Sequence, residues 1–369
     1  MIECRTIKEL CSVVVDCPHS TPTWTVEGKI VVRSNNIKNG RIDFSSPSYT
    51  DDEHFQQRIK RATPQGGDII ITREAPMGEV GMIPEGIVCC LGQRMVLLRA
   101  NPEICDNYYL LYSLQSRYVQ HQISWSEGTG TTVSNLRIPH LEQLKIPYLP
   151  LSKQRQVSSV LRCLEGKIEQ NRVINDNLQQ QAQAIYASMF VDNADPTWQQ
   201  GHLSDLVTVR YGKDHKKLAD GIYPVYGSGG IMRHVERPLY DKESVLIPRK
   251  GTLNNVMYVN QPFWSVDTMF YTEMRLPDVA KFVYHFVKAK DLAAMNAGSA
   301  VPSMTTDILN AMEIAIPPAT VLEEFESLVA PMYRAMQGND AQSKKLADLR
   351  NALLPKLMSG EIDVSDIQL

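Results

Sequence analysis

The stretch closest to recognisable chemistry is Tyr223-Pro224-Val225-Tyr226-Gly227-Ser228-Gly229-Gly230. It reads as a strand entering a glycine-rich turn, and glycine lets a backbone approach a ligand without a Cβ in the way. A phosphate cradle built like this also needs a Lys-Ser/Thr pair after the glycines, which is absent here. The turn is therefore read as a loop facing nucleic acid rather than as a nucleotide site. Other catalytic signatures are missing as well. Asn101-Pro102-Glu103 fails at its third position as an Asn/Asp-Pro-Pro-Tyr/Phe motif for base amino-methylation. No His-Glu-x-x-His occurs, and the eight His are scattered without metal spacing. Asp51, Asp52 and Glu53 read as a solvated charge run. No catalytic residue and no metal site is expected.

Two basic loops leave apolar strands in the same way. Residues 69–72 form a strand running into Arg73-Glu74-Ala75-Pro76-Met77-Gly78. Residues 244–247 form another, running into Pro248-Arg249-Lys250-Gly251-Thr252. Arg73 and Arg249 thus leave equivalent strands 176 positions apart. Residues 80–83 and 256–259 follow as a second matching pair.

What must position these loops is a pair of long helices. Strides of four and three from Val157 give Leu161, Leu164, Ile168, Asn171, Asn175, Leu178, Ala182, Ile185 and Met189. Eight of these ten positions are apolar and the residues between are mostly polar, which is the 3.5-residue repeat of a coiled-coil seam. A shift of 168 positions turns this seam into Phe325, Val329, Met332, Met336, Asn339, Ser343, Leu346, Arg350, Leu353 and Leu357. Asn171 falls on Asn339, where a polar residue costs stability but fixes register. Arg350 is the misfit, with Leu349 beside it as the expected contact. The match begins upstream without a gap: Gly130 on Gly298, Val133 on Val301, Leu136 on Met304, Leu141 on Leu309, Ile146 on Ile314, Pro150 on Pro318. An ungapped run of roughly sixty positions is an internal duplication of a domain-plus-helix unit. Pro331 is expected to kink the second helix, Gly338 to weaken it and Gly360 to end it.

The chain of 369 residues is long enough for two domains plus these helices. No apolar run approaches the roughly 18 residues of a membrane span. The start, Met1-Ile2-Glu3-Cys4-Arg5, has no signal pattern, and seven Cys without a Cys-x-x-Cys pair place the chain in a reducing cytoplasm. Cys89 and Cys90 read as a buried, reduced neighbour pair. The net charge of −3 argues mildly against a dedicated nucleic-acid binder, although local clusters can still make one face basic. Further expected elements are a strand at 30–32, a short helix at 51–61, strands at 87–90 and 95–98, a helix at 107–120 and a helix at 280–287. Both globular parts mix short strands with a few helices, so the fold class is α+β.

The duplicated plan resembles the specificity (S) subunit of type I restriction-modification enzymes. So do residues 223–231, the exit Ile247-Pro248-Arg249-Lys250-Gly251-Thr252 and the tail Leu354-Pro355-Lys356-Leu357-Met358-Ser359-Gly360-Glu361-Ile362. The first copy departs from the second: it lacks the Gly-Ser-Gly-Gly turn and has Gln93 where the second has Asp267-Thr268. The resemblance implies two target recognition domains, 1–150 and 196–318, separated by two long antiparallel coiled-coil helices, 151–195 and 319–369, as an internal pseudo-twofold repeat. It implies that each domain reads one half of a split sequence in double-stranded DNA. The helices would set the spacing and dock two modification subunits. On this resemblance the chain is not an enzyme and holds no cofactor. S-adenosylmethionine would sit in the modification subunit, and ATP and Mg in the restriction subunits. The expected DNA contacts are Arg249, Lys250 and Thr252, with Arg73 at the equivalent exit. Ser228, Gly229 and Gly230 come next. Lys213, Lys216 and Lys217, and Arg58, Lys60 and Arg61, would hold phosphate. The loops at 128–132 and 298–299 read as hinges. A coiled-coil scaffold whose globular units bind proteins is the alternative, and a self-sufficient nuclease or methyltransferase is the other rival.

Overall fold

The computed structural model describes residues 3–38, 40–74, 76–125, 135–295, 303–362 and 364. The loops at 128–132 and 298–299 lie outside them. Chain contacts divide the molecule into two units, Met1–Gln170 with Ala341–Leu369, and Asn171–Asp340. Each unit owns part of both long helices.

In the first unit, strands Cys11–Asp16, Met95–Ala100, Ile69–Thr72 and Val80–Met82 lie side by side in that order, all antiparallel. The Ile69-Ile70-Ile71 run is fully buried because the sheet is covered on both faces. Ile69, Ile71, Val96 and Leu98 point to one core with Leu110, Leu111 and Leu114. Ile70, Met95 and Leu97 point the other way, to Val32, Ile83 and Leu91. The second core is closed by a sheet of Ser48–Thr50, Lys29–Val32 and Cys89–Leu91, whose last pair is parallel. Cys89 and Cys90 are buried and unbridged, and burial pushes their thiols up to about 12 and about 11. The expected helix at 107–120 is two helices, Asn107–Gln115 and Arg117–Trp125. Ser116 divides them: its hydroxyl donates back to Ser113 O and accepts from Val119 N.

The second unit repeats this plan. Strands Val207–Tyr211, Met269–Met274, Ser244–Pro248 and Met257–Val259 have the same order and directions. Trp264–Ser265 again pairs in parallel, here with Asp220–Gly227. Single hydrogen bonds fix the correspondence. Cys17 N donates to Met95 O and Gly212 N to Met269 O, both at 3.0 Å. Gly92 N donates to Val32 O at 2.7 Å, and Val266 N to Tyr226 O at 3.1 Å. The units differ beyond Val32 and Tyr226. The first turns through a short 3-10 helix, Ser34–Asn36, whereas the second extends a hairpin with strand Gly230–Val235.

The long helices are Leu151–Ala187, closed by a π turn at Ser188–Asp192, and Ala319–Met358. In the first unit, Val157 and Leu161 pack with Leu354, Leu357 and Met358 beside Tyr109 and Tyr112. In the second, Ala182 and Tyr186 pack with Phe325, Val329 and Tyr333. Within each unit the two helical stretches therefore run antiparallel. The heptad positions Leu164, Ile168, Leu178, Ile185, Met332, Met336, Leu346 and Leu353 are half-buried. Asn171 is 1% exposed and donates to Asn339 O at 3.3 Å, while the Asn339 side chain donates to Asn175 Oδ1 at 2.8 Å. One expectation is corrected here. Leu349 is exposed, and Arg350 takes the seam place, because its guanidinium meets Glu165 at 3.1 Å. The second helix continues through Pro331 and Gly338, both of which are exposed. At its end Gly360 takes φ +71°, Glu361 N returns to Lys356 O at 3.0 Å and Gly360 N to Leu357 O at 3.2 Å. These two bonds are a Schellman cap, which requires the left-handed conformation that glycine adopts without strain.

Two polar anchors tie the domains to the helix stretches. In the first unit, buried Gln154 accepts from Asp106 N and donates to Ile104 O and Leu149 O, so the helix start is locked to the fold. In the second, Lys281 is 3% exposed and lies 2.7 Å from Glu326 and 3.2 Å from Glu243.

Candidate nucleic-acid interface

In the second unit, the exit from strand Ser244–Pro248 places Arg249 half-exposed. Its backbone N donates to Thr268 O at 2.9 Å and its O accepts from Met304 N at 2.9 Å. The guanidinium carbon lies 5.3 Å from the centre of the Tyr211 ring, and Nη1 reaches Asp267 O at 3.4 Å. An arginine over an aromatic face is held in place with its donor edge outward. Lys250 and Thr252 are exposed beside it. The glycine hairpin reaches the same place. Asn255 Nδ2 donates to Ser228 O at 2.8 Å, and a Cβ on Gly251 would stand 2.7 Å from Ser228 Oγ. Gly251 has φ +84°, a conformation that favours glycine. Ser228, Gly229, Gly230, Arg249, Lys250 and Thr252 are therefore one surface. Lys213 is exposed at the end of strand Val207–Tyr211, where its carbonyl accepts from Trp264 Nε1 at 2.9 Å. Lys216 and Lys217 are exposed on the loop that follows.

The first unit treats its cations differently. Arg73 occupies the exit equivalent to that of Arg249, since its N donates to Arg94 O and its O accepts from Leu136 N. Its side chain is only 12% exposed, with Asp16 at 2.8 Å, Leu136 O at 2.9 Å and Asn135 Oδ1 at 3.2 Å. Its side chain is turned into the fold rather than outward. Arg58 departs further from the solvated position expected of a phosphate contact. It is buried and donates to four backbone carbonyls, those of Leu91, Gly92, Ser20 and Pro18. Burial holds its pKa below the usual arginine range. Lys60 and Arg61 are exposed, with Arg61 touching Asp16 O at 3.3 Å.

Residues 3–180 and again residues 196–323 match the family profile described as the type I restriction modification DNA specificity domain. The chain belongs to this family. It is similar to the type I restriction enzyme MjaIX specificity subunit of Methanocaldococcus jannaschii, with 22% identity over 345 residues, covering 82% of this chain and 79% of that one. A shorter likeness, 28% identity over 92 residues, links it to the type I restriction enzyme HindI specificity subunit of Haemophilus influenzae, covering 25% and 18%. The crystal structure of a type I restriction-modification S subunit from M. genitalium has the same fold, with TM-score 0.59 at 18% identity over 97% of this chain and 96% of that one.

In this specificity-domain chain the structure adds residues that the sequence reading missed. Tyr211 ends the first strand of the main sheet, and nothing local marks it as the platform for Arg249. Arg94 has φ +65° and is 59% exposed at the first unit's exit, 3.1 Å from Glu74. Arg33 lies 5.2 Å from the ring centre of Trp24, which is 46% exposed. Trp24 precedes the strand Lys29–Val32 and Arg33 follows it, so their pairing is made by the fold and no local pattern marks it.

Proposed function

We propose that this chain is the DNA sequence-recognition subunit of a type I restriction-modification complex. Each specificity domain reads one half of a bipartite target in double-stranded DNA. The long helices act as a coiled-coil ruler between the halves and as the docking surface for two modification subunits. The observation that carries this reading is the repetition itself: one chain holds the specificity domain twice, with one strand order, and each copy leads into a long helix. A helix of 37 residues is about 55 Å long, against roughly 34 Å for one turn of DNA. Such a separator suits two half-sites flanking an unread spacer. The chain does no chemistry. S-adenosylmethionine belongs to the modification subunits, which methylate adenine, and ATP and Mg to restriction subunits.

Co-expression with the methyltransferase subunit, followed by mapping of methylated adenines in a host genome, tests the reading. A split motif with a fixed spacer is expected. No stable complex and no modified adenine would refute it and favour a scaffold with protein-binding units. Such a scaffold would show no salt-sensitive DNA binding, whereas phosphate contacts make affinity fall steeply with salt.

A further inference from the structure

The two specificity domains carry the same arginine at the same exit and give it different neighbours. The deciding position is the end of the first strand of each main sheet. The equivalent bonds Cys17 N to Met95 O and Gly212 N to Met269 O place Asp16 in the first domain where Tyr211 stands in the second. Asp16 takes the Arg73 guanidinium at 2.8 Å, and Leu136 O and Asn135 take two further donors. Turning Arg73 outward would cost all three of these contacts and leave the Asp16 carboxylate, 16% exposed, with His19 at 3.1 Å as its remaining ion-pair neighbour. Tyr211 offers no charge. It is 51% exposed and supports Arg249 from beneath, and among the described residues no carboxylate forms an ion pair with Arg249. Among the described residues its one side-chain hydrogen bond is the 3.4 Å contact to Asp267 O, so most of its five donors are unused by them.

Resting on the DNA-recognition reading above, we propose that Arg249 reads a guanine in the half-site of the second domain, that Arg73 touches no base, and that Tyr211 or Asp16 at the strand end sets this difference. A guanidinium whose carbon lies 5.3 Å from the ring centre keeps its paired N–H groups free to meet guanine O6 and N7. Exposed Lys250 and Thr252 flank it and suit the backbone phosphates.

The test uses the assembled methyltransferase complex and the methylated-adenine map, with four variants. Arg249→Ala lowers methylation at cognate sites about ten- to hundredfold and relaxes a single guanine position in one half-site. Tyr211→Asp, a change at an exposed position, reproduces that loss by capturing Arg249 as Asp16 captures Arg73. Tyr211→Phe keeps the ring and leaves the motif unchanged. Arg73→Gln lowers the melting temperature and leaves both half-sites as they were. A uniform loss across all sequences with the motif intact would make Arg249 a phosphate contact and overturn the proposal. So would a Tyr211→Asp complex with unaltered specificity, or a folded Arg73→Gln complex that changes one half-site. If Arg73→Gln does not fold, the Tyr211→Asp result decides. A wild-type complex that yields no split motif removes the DNA-recognition reading and this proposal with it. A wild-type split motif that Arg249→Ala leaves intact removes this proposal alone.

Discussion

Arg58 sits in a basic run and is spent entirely on the inside of the fold. Replacing it with Met keeps the length of the side-chain stem and deletes the guanidinium. Two of its four acceptors, Leu91 O and Gly92 O, lie in buried contacts at 2.8 Å each, while those to Ser20 O and Pro18 O lie nearer solvent. Stranding a buried polar group costs about 1–3 kcal/mol. The two outer carbonyls recover water, and removing a desolvated charge returns part of the loss. The net cost is about 3 kcal/mol, a large share of the roughly 5–15 kcal/mol that holds a protein folded. At about 2–4 °C per kcal/mol for a unit of this size, thermal unfolding should move down by about 6–12 °C. Circular dichroism melts of the full chain, run beside Lys60→Ala and Arg61→Ala, measure this directly. The two exposed substitutions should stay within about 0.5 kcal/mol of wild type. The reasoning fails if Arg58→Met melts with the wild type and instead weakens DNA binding in the assembled complex.

Three more outcomes follow from the same geometry. His285 is fully buried, its Nδ1 2.7 Å from Gln183 Oε1 and its Nε2 2.9 Å from Tyr333 Oη, and burial pushes its pKa down to about 4. Because the unfolded imidazole titrates near 6.5, the unfolded state binds the extra proton between those values. Stability then falls as pH drops through that window, by up to about 3 kcal/mol, and His285→Gln should flatten this slope in urea melts at pH 7 and 4.5; equal slopes would refute it. A double-mutant cycle on Glu165→Gln and Arg350→Met should give a coupling of about 1 kcal/mol, since both side chains are mostly buried and Tyr112 also donates to Glu165; a value near zero would show that the pair adds nothing. Gly251→Ala puts a side chain at φ +84°, with Ser228 Oγ obliged to rotate away, so it should cost about 1 kcal/mol and impair only the second-domain half-site; an unchanged methylation map would show that this loop reads nothing.

The repeat was readable because its signal is local. Heptad spacing in residues 157–189 and 325–357 needs only the 3.5-residue period, and the positions it named are the buried and half-buried stripe of both helices. The strand exits were readable for a similar reason, since a run such as Ile69-Ile70-Ile71 followed by a basic loop has few other uses. Arg350 was misjudged because a charge on a seam counts as a misfit until its partner is known, and Glu165 is 185 positions away. Arg58 was misjudged because a Lys/Arg run suggests a solvated face. Its spacing from Phe55 carried a warning: three residues apart on a helix, the two share one side, and Phe55 is buried.

The sequence by itself determined the order of the elements, the duplication, and the helix faces and strand runs that bury apolar side chains. These depend on periodicity and composition along a few tens of residues. Tertiary structure decided which arginines are available to a ligand. Arg73 and Arg249 share an exit, yet one is closed by a carboxylate 57 positions distant and the other lies over a tyrosine ring. Availability of a charge is set by what the fold brings across the sheet, and no local pattern contains that neighbour.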